Sequence, residues 1–124
     1  MKNKKVDELI QGQTLVEIPH TASVRDAARL MVERGVGSVL VMNGDKLEGI
    51  FTERDALNIF VATRRNPDQT DVGDVMTKNP ETIPPGTTAG DAQQRMMDGN
   101  YRHLPVVDGG KVLGIVSSRS LLPE

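Results

Sequence analysis

Cysteine is absent, which excludes disulfides, a thiol nucleophile and any thiolate metal site. The absence fits a reducing cytoplasm. Tryptophan is absent too, and Phe51, Phe60 and Tyr101 are the whole aromatic complement. Aliphatic side chains and methionine must therefore build the core. Net charge is scarce: the formal value is -2, with both signs interspersed. That leaves no electrostatic footprint for a nucleic-acid backbone or an anionic membrane. No apolar run approaches the roughly 20 residues of a membrane span. The basic start, Met1-Lys2-Asn3-Lys4-Lys5, is not followed by the apolar stretch of a secretory signal. These absences point to a cytoplasmic chain that touches neither nucleic acid nor membrane.

Catalytic and metal signatures are missing as well. His20 and His103 are the two histidines, and their spacing is not that of a metal site. No nucleophile elbow accompanies them. The glycines match neither a phosphate-binding loop nor a dinucleotide fingerprint. Glu53 reads as a first-turn acid that complements a helix dipole. The expectation is a protein without catalytic activity, required cofactor or metal. Its 124 residues can form one compact domain or two halves sharing a core.

What the sequence does have is an internal repeat. A constant shift of 65 positions, without gaps, pairs Pro19 with Pro84, Asp26 with Asp91, Met31 with Met96 and Gly49-Ile50 with Gly114-Ile115. It yields 12 identities over the 42 positions from Val16 to Leu57. Chance would give about three at ordinary residue frequencies. The matches fall on turns and caps as well as apolar positions, which shared patterning alone would not produce.

Each copy reads as a β-α-β-β-α unit. Val16 to Ile18 is a short strand stopped by Pro19. Ser23 is a helix N-cap with Asp26 at N3, and Val24, Ala27, Ala28 and Met31 form one apolar stripe. Gly35 and Gly37 end that helix. Val39 to Met42 and Leu47 to Phe51 flank the hairpin turn Asn43-Gly44-Asp45. Thr52 caps a further helix with Ala56, Leu57, Phe60 and Val61 on its apolar face. In the second copy Thr82-Ile83 opens, and Thr88 caps a helix carrying Ala89, Ala92 and Met96. Leu104 to Val107 and Val112 to Val116 flank Asp108-Gly109-Gly110, and Ser117 caps a helix ending near Leu122 and Pro123. Arg64 to Thr70 is a polar linker. Short helices are expected after Asp71, through Val75-Met76, and at Val6, Leu9 and Ile10. The fold class is α/β (α+β), with tandem repeats packed sheet to sheet about a pseudo-twofold axis. Residues 1–62 make the first half and 63–124 the second. Packing of two such halves creates clefts, and clefts are where ligands bind.

The repeat closely resembles a pair of CBS domains, or Bateman module. The resemblance runs from about Leu9 to Leu122. It is carried by Gly49-Ile50-Phe51-Thr52-Glu53-Arg54-Asp55, Asp71-Val72-Gly73-Asp74-Val75-Met76-Thr77, Tyr101-Arg102-His103-Leu104-Pro105-Val106-Val107 and Gly114-Ile115-Val116-Ser117-Ser118-Arg119-Ser120. It implies a regulatory, signal-transducing module that binds AMP, ADP, ATP or S-adenosylmethionine, pairs as a homodimer and acts on a regulated protein. The alternative is a ligand-free homodimerisation or scaffold module.

The strand-to-helix junction after Gly49 has a binding logic. Thr52 stands at a helix start, where amides and the dipole favour an anion. Asp55, three residues on, shares its face and suits paired ribose hydroxyls. The residues alone leave plain capping equally open; the resemblance assigns Thr52 and Asp55, flanking Arg54, to the ligand. It places the opposite wall of the cleft in the second copy, at Thr77, Asn79, Thr82, Tyr101, Arg102 and His103. Tyr101 would cover an adenine face or sit on the rim. Arg102-His103 would meet phosphate, with His103 alternatively a packed histidine. At the second junction Ser117 and Ser120 stand where Thr52 and Asp55 stand, so a ribose would lack its carboxylate. The two sites are expected to be chemically unequal.

Overall fold

The computed structural model describes residues 3–121. Its elements, in chain order, are α1 (Val6–Leu9), β1 (Glu17–Ile18), α2 (Val24–Arg34), β2 (Ser38–Asn43), β3 (Lys46–Thr52), α3 (Glu53–Leu57), α4 (Val72–Val75), β4 (Thr77–Lys78), α5 (Ala89–Gly99), β5 (His103–Asp108) and β6 (Lys111–Ser117). A π-helical turn, Asn58–Ala62, continues α3, and a 3-10 turn, Ser118–Leu121, follows β6. The expected helix end at Leu122 and Pro123 lies outside the described residues.

The 65-residue shift holds in three dimensions. β2 and β3 pair antiparallel from Ser38–Thr52 to Asn43–Lys46, and β5 and β6 pair from His103–Ser117 to Asp108–Lys111. Both ladders slip at the same place, so Glu48 and Leu113 are the extra residues of matching β-bulges. Ser23 Oγ accepts from the Asp26 amide at the start of α2, and Thr88 Oγ1 accepts from the Asp91 amide at the start of α5, each at 3.1 Å. Gly35 and Asn100 end these helices in the left-handed region, at φ 64° and 56°. Glycine enters that region freely, and asparagine is among the residues that tolerate it.

The chain forms two compact units. One is residues 16–80 and the other combines 1–15 with 81–124. The unit of residues 16–80 holds a four-stranded sheet in the order β1-β2-β3-β4. Its core gathers Val24, Ala27, Met31, Val39, Val41, Phe51, Ile59 and Val72. In the other unit, β5 and β6 form a two-stranded sheet, and Val6, Ile83, Ala92, Met96, Leu104, Val106 and Val116 form the core. The short helix α1 thus packs on the second repeat and α4 on the first. The Val6 amide donates to the Thr87 carbonyl at 2.9 Å, and the Val72 amide donates to the Ala22 carbonyl at 2.7 Å.

Four expectations change. The predicted strand Thr82-Ile83 reduces to a single parallel bridge between Ile83 and Val106. β4 was not foreseen; it adds Thr77 and Lys78 to the edge of β3. Asp71 stands at the N-cap of α4 without a side-chain cap, and Met76 falls just past the helix end. The face of α3 is also corrected. Ala56 and Ile59 are buried, whereas Leu57, Phe60 and Val61 are exposed. The buried pair is spaced i, i+3, so the core-facing side of α3 is narrower than the expected stripe; a π-helical turn follows it, with the Thr63 amide donating five residues back to Asn58.

Val6 is fully buried although it lies near the chain start. Val6→Ala should therefore cost about 2 kcal/mol in urea unfolding, as a core truncation does. An unchanged midpoint would show that α1 adds nothing to the core.

Candidate functional site

The junction of β3 and α3 brings together Thr52, Asp55 and Thr77. Asp55 Oδ2 accepts from the Thr52 amide at 3.0 Å and from Thr52 Oγ1 at 3.1 Å, while the Asp55 amide donates to Thr52 Oγ1 at 3.2 Å. This reciprocal arrangement is a capping box. Thr77 lies beside the Asp55 carboxyl. It can do so because β4 pairs Thr77 with Ile50, two residues before Thr52. Gly49 makes that approach possible: a Cβ there would lie 2.5 Å from Met76 Sδ and 2.8 Å from the Thr77 carbonyl oxygen.

Burial pushes the Asp55 carboxyl above its ordinary value, because desolvation disfavours the charged form. Hydrogen bonds from the Thr52 backbone and side chain, the Arg54 charge and the Thr77 hydroxyl oppose the rise without cancelling it. The first helical amide is already engaged, since Glu53 N–H donates to the Gly37 carbonyl at 3.0 Å. Thr77 and Asn79, expected on the opposite wall in the second copy, belong to the same compact unit as Thr52, Arg54 and Asp55. Asn79 takes φ 48°, and its amide donates to the Glu48 carbonyl at 3.4 Å.

The remaining candidates lie in the other unit. Ser120 reproduces the reciprocal cap with a hydroxyl. Its Oγ accepts from the Ser117 amide at 3.1 Å and donates to the Ser117 carbonyl at 2.7 Å, while its amide donates to Ser117 Oγ at 3.4 Å. Ser118 N–H donates to the Arg102 carbonyl at 2.9 Å, matching Glu53 and Gly37. Arg102 is exposed and His103, opposite Ser117 in the ladder, is half-buried. Thr82 is exposed. The Tyr101 ring packs against the core and over Gly99, and its hydroxyl donates to Glu81, which also accepts from Arg95 at 2.9 Å. Sequence reasoning missed Glu81 and Gln13; each is a lone exposed polar residue outside any recognisable pattern. Among the described residues, no group of three or more His, Asp or Glu could hold a metal ion, and no helix is long and apolar enough to cross a membrane.

Two matching hairpins, each ending in a hydroxyl-capped helical turn, define a tandem α/β module. The CBS domain family model matches residues 12–62 and 72–124, and the chain belongs to that family as a CBS pair. It is 39% identical over 100 residues to the CBS domain-containing protein CBSCBSPB3 of Arabidopsis thaliana, covering 80% of this chain and 18% of the relative. The chain thus spans under a fifth of that protein. A CBS domain protein of Pyrobaculum aerophilum, solved in complex with AMP, superposes with a TM-score of 0.87 at 27% identity, covering 97% of this chain and 92% of that one. The hexameric CBS-CP12 protein of bloom-forming cyanobacteria has a TM-score of 0.84 at 27% identity, covering 94% and 68%.

The raised Asp55 value sets a pH dependence. The folded state holds the proton more tightly than the unfolded one, so this contribution to stability is present at low pH. It is lost as pH rises through the folded value. Asp55→Asn should therefore gain stability relative to the wild type between about pH 3 and pH 7. A pH-independent difference in urea unfolding would contradict the assignment.

Proposed function

We propose that this chain is a non-catalytic, cytoplasmic sensor of an adenosine-containing ligand, such as AMP, ADP, ATP or S-adenosylmethionine. Binding shifts the population between conformations that a regulated protein distinguishes. The observation that carries this reading is the Thr52–Asp55–Thr77 cluster. A partly desolvated carboxylate beside two threonines accepts from ribose hydroxyls, Arg54 donates to phosphate, and Thr52 Oγ1 does so once its proton turns away from Asp55. The AMP complex of the Pyrobaculum relative supports the ligand class. The second junction, with Ser120 in place of the carboxylate, is the weaker of the two for ribose.

A thermal-shift panel of AMP, ADP, ATP, S-adenosylmethionine and NAD at about 1 mM tests the reading. A ligand at 100-fold its Kd stabilises by about 2.7 kcal/mol, several degrees for a domain of this size. Asp55→Ala should reduce the ligand-induced shift more than Ser120→Ala. Equal reductions would refute the unequal sites, and no shift with any compound would leave the scaffold reading.

We further propose that the chain forms a homodimer. Val32 on α2 is 82% exposed and Met97 on α5 is 69% exposed, at positions equivalent under the 65-residue shift. Leu57 and Val61 are further exposed apolar side chains in the unit of residues 16–80. Exposed apolar side chains of this size on equivalent helices of both units favour association. Sedimentation should give twice the chain mass for the wild type and a single chain mass for Val32→Glu combined with Met97→Glu. A wild-type monomer would exclude the dimer.

A further inference from the structure

The outer edge of β6 is closed by one side chain. Gln13 Nε2 donates to the Ile115 carbonyl at 3.0 Å, and the Ile115 amide donates to Gln13 Oε1 at 2.7 Å. At the equivalent edge of β3 the partner is backbone, because Ile50 pairs with Thr77 in β4. The replacement is close in space. A Cβ on Gly49 would lie 2.8 Å from the Thr77 carbonyl oxygen, and one on Gly114 would lie 2.9 Å from Gln13 Oε1. A carboxamide thus stands where the other unit has a peptide group.

The two closures differ in how they open. A paired peptide group leaves only if the chain moves. The Gln13 carboxamide leaves by side-chain rotation, and Gln13 is exposed, so water receives it. Ile115 then offers one donor and one acceptor side by side. An adenine edge satisfies that pair as a carboxamide does: its amino group donates to the carbonyl and its ring nitrogen accepts from the N–H. Ser117 lies two residues along the same strand, about 6.6 Å away. Ser117 and Ser120 place hydroxyls at that end of the strand.

We propose that Gln13 is a built-in competitor: its carboxamide occupies a base-reading position on Ile115 until an adenine base displaces it. This inference rests on the adenosine-ligand reading and adds a gated position in the unit of residues 1–15 and 81–124. Adenosine itself is the probe, titrated into the full chain and followed by amide NMR. The Ile115 backbone and Gln13 side-chain N–H signals should shift together in the wild type. Gln13→Ala removes the competitor and should bind adenosine about tenfold more tightly, the scale of a lost pair of hydrogen bonds. Gln13→Glu keeps the acceptor and loses the donor, and should gain affinity to a smaller degree. Shifts at Thr52 and Asp55 with a silent Ile115 would overturn this proposal alone. Unchanged or weaker adenosine binding in both variants would overturn it as well. Silence at every amide in the wild type and in Gln13→Ala would overturn it together with the ligand reading.

Discussion

The two units rest on one repeated constraint: a short leading helix must be stitched by its first amide to the loop before a long helix. Val6 N–H reaches the Thr87 carbonyl, and Val72 N–H reaches the Ala22 carbonyl. Each stitch seats a fully buried valine in a core. The carbonyl two residues before each valine then accepts the first amide of the long helix, Lys4 from Ala89 at 2.7 Å and Thr70 from Val24 at 2.9 Å. Helix starts leave such amides without internal partners, so the leader supplies what α2 and α5 lack. The segment after each leader is thereby aimed at a strand edge. In one unit it delivers Thr77 to Asp55; in the other it delivers Gln13 to Ile115.

Much of this fold is legible in the amino-acid sequence because the repeat is written in local signals. Ser23 and Thr88 announce helix starts, Asn43-Gly44 and Asp108-Gly109 announce hairpins, and unbroken aliphatic runs announce strands. The exchange of leaders is less legible. Val6 and Val72 are 66 positions apart, one more than the rest of the repeat, and few identities mark them. β4 escapes notice because two exposed residues, Thr77 and Lys78, carry no periodicity. The narrow buried face of α3, Ala56 with Ile59, is not marked among its neighbouring apolar residues.

The site was legible in part. Thr52 and Asp55 stand out because hydroxyl-x-x-carboxylate is both a cap and a contact surface. The sequence sets Thr77 across the same cleft, but its membership of the same unit depends on the leader exchange and carries no local signal. The scaffold conserves geometry between the repeats while changing chemistry. Asp55 and Ser120 accept from the same backbone position, at 3.0 and 3.1 Å, so the cap survives the loss of the carboxylate. Ionic capacity is therefore separable from helix initiation at this position, and the two junctions can diverge without disturbing the hairpins that support them.

The interleaving of the units has a consequence for synthesis on the ribosome. Residues 16–80 form a contiguous unit, complete once the chain has emerged to Pro80. Residues 1–15 emerge before it, yet their docking partner begins at Glu81. Val6 and Ile10, both core residues, must wait until the chain beyond Glu81 has been made before their surroundings exist. At about 5–20 residues per second that delay lasts seconds, long compared with helix or hairpin formation. The polar lysines and asparagine at the chain start flank this waiting apolar segment and favour its solvation.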